Sequence, residues 1–483
     1  MGPNNFAGEK NRRLRFINER IGSEPMSGAK LDLHKYVAIT SIIILLVMTV
    51  LDVSLMNVAL PVIGREFGVS ESATVWLVTI YQLIIVMLLL PLSSIGDQYS
   101  YKRNFLIGLV VFTIGSGLCA ASVSFPMLMV SRGIQAIGGA GVMSVNVALT
   151  RVIYPRNILG RGLALNAMFI SIATAAGPSL AGWIMSVASW HWLFIINLPF
   201  GIIALFIGLR TLPQNPNPPQ NPKFDFGGAV LNMTFFGLLF FSLGNFSKDA
   251  DMVVCIVLFI LALLVGWLYV KREKESRHPM FPVDLFKIRL YATSISTSTC
   301  SFIALNLTLI SLPFLFLSVL NFSELHTGLA MTPWPLATMI ISPIAARVIE
   351  RHNAAYTAAT GMLIFMAGLS LLIFIPENSD IWAIAWRMAI CGVGFGFFQT
   401  PNNIVMVMAT PVERTGAAGG MQSTARLTGQ TFGSTLVSII FAFVVSISLS
   451  VKICMWIAFG FAIMACYFSI DRGHQISKRH VTL

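Results

Sequence analysis

The chain has 483 residues, of which 56% are apolar and only 11% are charged, and its mean hydropathy is +0.78. Soluble proteins carry about 25% charged residues, so this composition argues against an ordinary water-soluble enzyme and indicates a protein that crosses a membrane several times. The net charge of +12 is compatible with binding to nucleic acid or to an anionic membrane surface, and the positions of the basic residues decide between them.

Residues 1–35 are polar and basic, without the apolar stretch of a cleavable signal, and we expect them to form a solvated cytoplasmic tail. Fourteen apolar segments follow, each close to or above the roughly 20 residues that cross a membrane. They cover residues 36–63, 73–95, 104–124, 126–149, 163–187, 192–212, 226–246, 252–270, 291–319, 327–348, 354–375, 381–408, 416–447 and 451–470. Backbone groups in lipid need internal partners, and these segments are too long and too uniformly apolar for barrel strands. The sequence therefore predicts an all-α polytopic membrane protein with fourteen transmembrane helices.

The basic residues indicate the orientation of these helices, because Lys and Arg are retained on the cytoplasmic side. If the N-terminus is cytoplasmic, all but six of the 32 basic residues fall in the tails, the loops and the last residues of the spans on that side, where Arg210 and Arg347 lie. The exceptions are Arg65, Lys248 and Lys452 on the other side, and Arg132, Arg387 and Arg426 within spans. This asymmetry predicts a cytoplasmic (inner) membrane protein with both termini in the cytoplasm, and it argues against nucleic acid as a partner.

Two of the predicted helices resemble each other. Residues 126–149 and 381–408 each carry an Arg near the outer end, followed by a group of glycines, and each precedes a loop with a Pro, a basic residue and a Gly. Two related halves are typical of transporters built from repeated bundles.

The segment NPNPPQNPK (215–223) lies between these halves and cannot stay helical. The seventh and eighth spans have no counterpart in the repeat, so we interpret them as an inserted helix pair. The predicted organisation is a cytoplasmic tail (1–35), a six-helix bundle (36–212), a Pro/Asn-rich linker (213–224), an inserted pair (225–270), a basic cytoplasmic loop (271–290), a second six-helix bundle (291–470) and a cytoplasmic tail (471–483).

Six short motifs occur in order along the chain. They are LDVSLMNVALP (51–61), SSIGDQYSYKRN (93–104), LMVSRGIQAIGGAG (128–141), ATAAGPSLAG (173–182), SWHWLFIINLPFG (189–201) and DFGG (225–228). Together they resemble the motifs of the major facilitator superfamily and, within it, of the fourteen-helix drug:proton antiporter family, over nearly the whole chain after residue 35. The resemblance implies two six-helix bundles with an inserted helix pair, and a proton-coupled exporter of the multidrug type.

The resemblance also implies roles for particular residues. They are Asp52 as a membrane-embedded acid, Asp97, Lys102 and Arg103 as a cytoplasmic gate, and Gly177, Pro178 and Gly182 as a conformational motif of the fifth helix. The gate motif departs from the family pattern, since Ser93, Gln98 and Ser100 replace the usual Gly, Arg and Gly. A solvated salt bridge in a loop is the alternative reading of the gate residues.

Asp52 is the only acidic residue deep within a predicted span. An ionisable side chain in the membrane costs several kcal/mol and marks a functional site by default. At 1.5 Å per residue, Asp52 and Arg132 lie about 13 and 9 Å from the outer ends of their helices, so the two would meet across a cavity. A pair that substrate makes or breaks would exchange a proton in each cycle. A fixed ion pair that holds helices together is the alternative.

Arg387 and Arg426 are candidates for the lining of a substrate cavity, and hydrogen bonding to neighbouring helices is the alternative for both. Three arginines against one aspartate in the membrane favour an anionic or zwitterionic cargo over a dication.

The sequence contains neither a phosphate-binding loop nor an HExxH motif, and its six cysteines are not clustered. We therefore expect no enzyme activity, no metal and no cofactor, with the proton gradient as the energy source. The predicted function is export of small amphipathic organic compounds, such as drugs or toxic compounds, by alternating access. Export of an endogenous metabolite such as a siderophore is the main alternative, and a non-transporting membrane sensor is a weaker one. The expected partners are a small-molecule substrate, protons and the lipid bilayer, with the protein as a monomer.

Overall fold

The computed structural model describes residues 33–154, 159–215, 224–246, 251–276, 280–376, 379–410 and 415–481. These ranges are helical and contain no β-strand. The helices are α1 (Leu33–Phe67), α2 (Glu71–Gln98), α3 (Tyr101–Ala120), α4 (Phe125–Ile153), α5 (Leu159–Val187), α6 (Trp192–Ile195), α7 (Asn197–Thr211), α8 (Phe226–Gly244), α9 (Met252–Glu275), α10 (Arg289–Ser318), α11 (Glu324–Met331), α12 (Pro333–Val348), α13 (Ala354–Ile373), α14 (Ile381–Met408), α15 (Thr415–Phe443) and α16 (Ile447–Val481), with a short 3-10 helix at Val283–Lys287. The predicted all-α fold class is confirmed. Most of the predicted N-terminal tail (1–32) and most of the linker (216–223) lie outside the described residues.

The helices follow the predicted spans with two kinds of difference. The sixth and tenth spans are each divided, into α6 with α7 and into α11 with α12. Pro199 and Pro333 stand in the first turns of α7 and α12, and a proline has no N–H with which to continue the preceding hydrogen-bond ladder. The last helix differs in length, because α16 continues beyond the predicted end at residue 470 as far as Val481.

Thirteen of the described helical segments are long and apolar enough to cross a membrane. The remaining long helix is α15, whose polar residues include Gln422, Arg426 and Gln430. It packs against α2 and α10, so it lies among other helices at the place predicted for the thirteenth span. Its polar side chains therefore need not face lipid, where they would be costly.

The helices alternate between two faces of the molecule. We call the end with the start of α1 and the end of α16 the terminal face, and the other end the opposite face. Ser70 and Ser124 begin α2 and α4 at the opposite face, and Ser100 begins α3 at the terminal face. Each of these serines accepts a hydrogen bond from the backbone N–H three residues further on, which satisfies one free donor of the first helical turn.

The segments α1–α7 and α10–α16 form two bundles that pack in corresponding ways. In the first bundle, a Cβ atom at Gly138 of α4 would lie 2.1 Å from the backbone nitrogen of Phe112 in α3. In the second, a Cβ atom at Gly394 of α14 would lie 2.3 Å from the backbone nitrogen of Phe365 in α13. Only glycine permits such close helix contact, so the repeated Arg-and-glycine pattern corresponds to a repeated helix pair.

The helices α8 and α9 form a hairpin, and α8 packs against α2 and α15, one helix from each bundle. Asp225 begins α8 and forms an ion pair with Arg272 near the end of α9, with 2.7 Å between Nη2 and Oδ1. The hydrogen bonds from Arg272 hold the pKa of Asp225 below its ordinary value, so this pair remains ionised at neutral pH. Much of α9 is apolar and exposed, as expected of a lipid-facing helix.

Candidate functional site

A buried ion pair lies in the middle of the first bundle. Nη1 of Arg132 in α4 donates to Oδ2 of Asp52 in α1 over 2.6 Å. Asp52 is 2% exposed and Arg132 is 0% exposed. The two residues meet as the sequence predicts, but inside one bundle and not across a cavity.

Three further polar side chains complete a network around this pair. Nε2 of Gln135 donates to the second carboxylate oxygen of Asp52 over 2.7 Å and to Oγ of Ser116 over 2.9 Å. Nη1 of Arg132 also donates to Oε1 of Gln135 over 2.6 Å. Nδ2 of Asn197 in α7 donates over 3.3 Å to Oδ1 of Asp52, the carboxylate oxygen that also accepts from Gln135. The carboxylate therefore receives hydrogen bonds on both oxygens, as a buried polar group requires.

Aromatic rings enclose the guanidinium of Arg132. Its Cζ atom lies 4.4 Å from the centre of the Tyr81 ring and 5.6 Å from the centre of the Phe194 ring. Nε donates to the backbone oxygen of Leu77 over 3.4 Å. The charge of Arg132 is thus stabilised by a carboxylate, an amide, a carbonyl and two ring faces. Protonation of Asp52 would remove the main counter-charge, but the neutral partners of Arg132 would remain.

Sequence reasoning identified the two charged members of this network and missed the neutral ones. Gln135 gave a usable signal, since it lies three residues after Arg132 and therefore on the same side of α4. Ser116, Asn197 and Tyr81 come from three other helices, and one sequence contains no pattern that places them beside Asp52.

A cavity of about 480 Å³ opens at the terminal face. It lies between α2 and α4 of the first bundle and α15 of the second, with Asp97, Tyr101 and Arg151 among its lining residues near the mouth. Leu89, Met143 and other apolar side chains line its deeper part. Its size is in the range of small-molecule binding sites.

The two bundles are in direct contact at the opposite face. A Cβ atom at Gly328 of α11 would lie 2.2 Å from the backbone oxygen of Pro178 in α5, and one at Gly182 would lie 2.5 Å from the backbone oxygen of Glu324. Gly177 packs differently, because its neighbour is Ser54 of α1 in its own bundle. The predicted motif of the fifth helix therefore combines a contact within the first bundle with a close contact between the bundles.

The helices α2 and α15 close the same face. Oγ of Ser72 donates to the backbone oxygen of Ser438 over 2.8 Å, and Oγ of Ser438 donates to the backbone oxygen of Ser72 over 3.0 Å. Deeper in the molecule, Oε1 of Gln82 accepts from Ser434 over 3.2 Å and from Asn306 over 3.4 Å. The structure is consequently open at the terminal face and closed at the opposite face.

The three predicted gate residues do not pair with one another in this state. Oδ1 of Asp97 accepts from the hydroxyl group of Tyr101 over 2.8 Å. Nζ of Lys102 donates to the backbone oxygen of Leu209 over 2.8 Å, and the side chain of Arg103 is exposed. Asp97 lines the cavity, so its carboxylate is accessible at the open face.

Arg387 lies away from the cavity lining. Its Nη1 donates to the backbone oxygen of Ala383 one turn earlier in α14, and its guanidinium lies 4.5 Å from the centre of the Trp386 ring. These contacts favour the structural alternative for Arg387.

We expect an Arg387→Gln variant to keep transport within about twofold of the wild type. It removes one hydrogen bond and one ring contact, and we expect a loss of about 1 kcal/mol in stability. Thermal unfolding and vesicle transport check this expectation. A large loss of transport at unchanged stability would contradict it and would give Arg387 a functional role.

Arg426 has a different environment. It lies on α15 three residues after Ser423, which lines the cavity. Its Nε atom is buried and has no hydrogen-bond partner in the described ranges, and within those ranges the residue forms no ion pair. The side chain nevertheless keeps partial solvent exposure. This combination fits a residue that faces an internal space.

Comparisons with known proteins agree with this architecture. The family model described as Major Facilitator Superfamily matches residues 42–434 and 294–479. A solved POT family transporter in complex with a thioalcohol-conjugated peptide superposes with a TM-score of 0.70 at 13% identity, over 90% of this chain and 96% of that one. At that identity the likeness concerns the fold alone.

Curated relatives match along most of their length. The uncharacterized transporter YebQ of Escherichia coli (strain K12) is 44% identical over 84% of this chain and 89% of its own. The riboflavin transporter RibZ of Clostridioides difficile (strain 630) is 30% identical over 85% of this chain and 89% of its own. The multidrug resistance protein Stp of Mycobacterium tuberculosis (strain CDC 1551 / Oshkosh) is 30% identical over 82% of this chain and 74% of its own. The protein is therefore a transporter and not an enzyme, and it belongs to the major facilitator superfamily.

Proposed function

We propose that this protein is a proton-coupled antiporter of the cytoplasmic membrane that exports small amphipathic organic compounds by alternating access. One observation carries the proposal: a cavity open at the terminal face lies beneath a close contact of the two bundles at the opposite face. Rocking of one bundle against the other would open the second face and close the first. If the terminal face is cytoplasmic, as the basic residues predict, this state takes up substrate from the cytoplasm.

Asp52 is the proposed proton carrier. Its carboxylate is buried near the middle of the membrane and receives hydrogen bonds from Arg132, Gln135 and Asn197, which come from two other helices. Protonation would weaken these bonds and change how α1 packs against α4 and α7. The network is sealed from solvent in this state. A proton would be taken up by Asp52 when the opposite face is open, and its release to the cytoplasm would require the network to open towards the cavity at the terminal face.

The remaining parts of the proposal follow from the same arrangement. The proton gradient supplies the energy without a cofactor, and one chain contains the whole pathway, so a monomer suffices. Asp97, Lys102 and Arg103 would contact the second bundle only when the terminal face closes. The present contacts of Asp97 and Lys102 are both within the first bundle, which is what this proposal expects while the terminal face is open.

Transport of an endogenous metabolite is the second candidate. It is favoured by the similarity to a riboflavin transporter over most of both chains, whereas the similarity to Stp favours multidrug efflux. Both candidates use the same cavity and the same proton site, so they differ in substrate and not in mechanism.

Transport into proteoliposomes with an imposed pH gradient tests the proposal. Purified protein is reconstituted, the lumen is made acidic, and uptake of a cationic dye, a neutral drug and a siderophore is compared with protein-free vesicles. We expect uptake of at least one class that depends on the gradient and disappears with a protonophore. Uptake that ignores the gradient would contradict proton coupling, and a folded protein that moves no class would favour a sensor.

A further inference from the structure

The position of Arg426 relative to the cavity follows from the helix geometry. At 1.5 Å per residue, Arg426 lies about 16 Å from the start of α15, Leu89 about 13 Å from the end of α2, and Met143 about 15 Å from the end of α4. All three of these helix ends are at the terminal face, and Leu89 and Met143 line the deep part of the cavity. Arg426 is therefore level with the inner end of the cavity, one turn deeper than Ser423.

The positive charge of the Arg426 guanidinium is not neutralised by any acidic side chain among the described residues. Arg132 is paired with Asp52, and Arg387 is bonded to its own helix. Near the mouth, Asp97 and Arg151 offset each other, roughly 15 Å closer to the terminal face than Arg426. A guanidinium at membrane depth without a counter-charge is costly, and a bound anion would supply the counter-charge that the described residues do not.

The rest of the cavity indicates the remainder of the ligand. Leu89, Met143 and Val147 offer an apolar surface between the level of Arg426 and the terminal face. A cavity volume of about 480 Å³ fits a small organic molecule. A guanidinium binds a carboxylate or sulfonate through two parallel hydrogen bonds. Arg426 is not itself among the residues that line the cavity in this state, but its guanidinium, at the level of the inner end, would give the pocket one cationic end and an apolar body.

We propose that Arg426 is the anion-binding group of this cavity, and that the compounds it selects are amphipathic organic monoanions. The acidic group binds the guanidinium at the inner end, and the apolar part lies against Leu89, Met143 and Val147. This inference rests on the proposed function in that it takes the cavity as the substrate site. It narrows the substrate class from amphipathic compounds in general to acids.

Binding of a matched series of probes, measured without any gradient, tests the inference separately from proton coupling. The probes are 2-naphthoate, its uncharged amide 2-naphthamide and the cation 2-naphthylmethylammonium. A Ser423→Cys substitution places a thiol in the cavity beside Arg426, and each probe is titrated for its ability to slow maleimide labelling of that thiol in nanodiscs. This readout reports occupancy of this cavity and not partition into lipid.

We expect 2-naphthoate to protect the thiol at roughly tenfold lower concentration than the amide, and the cation to protect least. Arg426→Gln should remove the advantage of the anion over the amide, and Arg426→Lys should keep part of it. Arg387→Gln is the matched control, because it removes another membrane arginine, and it should leave the order of the probes unchanged.

Two results would overturn the inference. The first is equal protection by anion and amide in the protein with Arg426 intact, a comparison that needs no folded Arg426 variant. The second is an equal loss of protection by both probes in Arg426→Gln while labelling without probe is unchanged, which would make Arg426 a structural residue. Failure of pH-driven transport would leave these binding results intact, so the inference and the proposed function fail separately.

Discussion

An Asp52→Asn variant is expected to insert and fold but to lose gradient-driven export, with uphill transport reduced to the level of protein-free vesicles. Asparagine has the same shape and still offers an oxygen to Arg132, but its amide nitrogen replaces the oxygen that accepts from Gln135 and Asn197, and it cannot bind and release a proton. The substitution leaves Arg132 buried without its counter-ion, which we expect to lower stability by about 3 kcal/mol.

A second variant separates this loss of stability from the loss of coupling. Asp52→Asn combined with Arg132→Gln removes both charges, so it should recover much of the stability while transport stays uncoupled. Asp380→Asn, at an exposed acid near the start of α14, is the control and should transport normally. Uphill transport by Asp52→Asn at the wild-type rate would remove Asp52 from the coupling role.

The second large effect is expected from Gly328→Val, which should prevent the state with the opposite face closed. The first carbon of any side chain at this position would lie 2.2 Å from the backbone oxygen of Pro178. Backbone atoms of two packed helices cannot yield to that overlap, so α5 and α11 must separate. The variant should therefore lose turnover by a large factor while each bundle stays folded.

Accessibility of a reporter at the opposite face measures this effect. A Ser72→Cys substitution places a thiol in the contact between α2 and α15, and we expect a membrane-impermeant maleimide to label it faster in Gly328→Val than in the parent. Gly460→Val is the matched control, since a Cβ atom there would meet nothing within 4 Å. Unchanged labelling and turnover in Gly328→Val would show that the glycine contact does not control closure.

The sequence by itself determined the membrane class, the order of the helices and the two charged residues at the centre of the first bundle. These features depend on local properties of the sequence. They are about 20 apolar residues per span, basic residues in the cytoplasmic loops, and an acidic side chain whose free-energy cost in the membrane indicates a functional site. The repeat of Arg and glycine was also visible locally, because helix contact at Gly138 and Gly394 requires glycine wherever two backbones meet.

Only the tertiary structure decided which of the membrane arginines are neutralised. Arg132, Arg387 and Arg426 look alike in sequence, each being a cation inside an apolar span. The first meets Asp52, 80 residues away in sequence, and the second bonds its own helix. The third has a buried Nε atom without a hydrogen-bond partner in the described ranges and follows Ser423, a cavity-lining residue, by three positions. Contacts between helices depend on how the bundles pack, and hydropathy along one chain contains no record of which helices become neighbours.

The state of the molecule was likewise decided by the tertiary structure. The sequence marks Gly182 and Asp97 as members of motifs at two faces, but the same residues serve every state of a rocking protein. Here Gly182 lies against the backbone of α11 while Asp97 lines an open cavity. Which face is closed depends on the small free-energy difference between two packings of the same helices, and that difference is a property of the whole assembly.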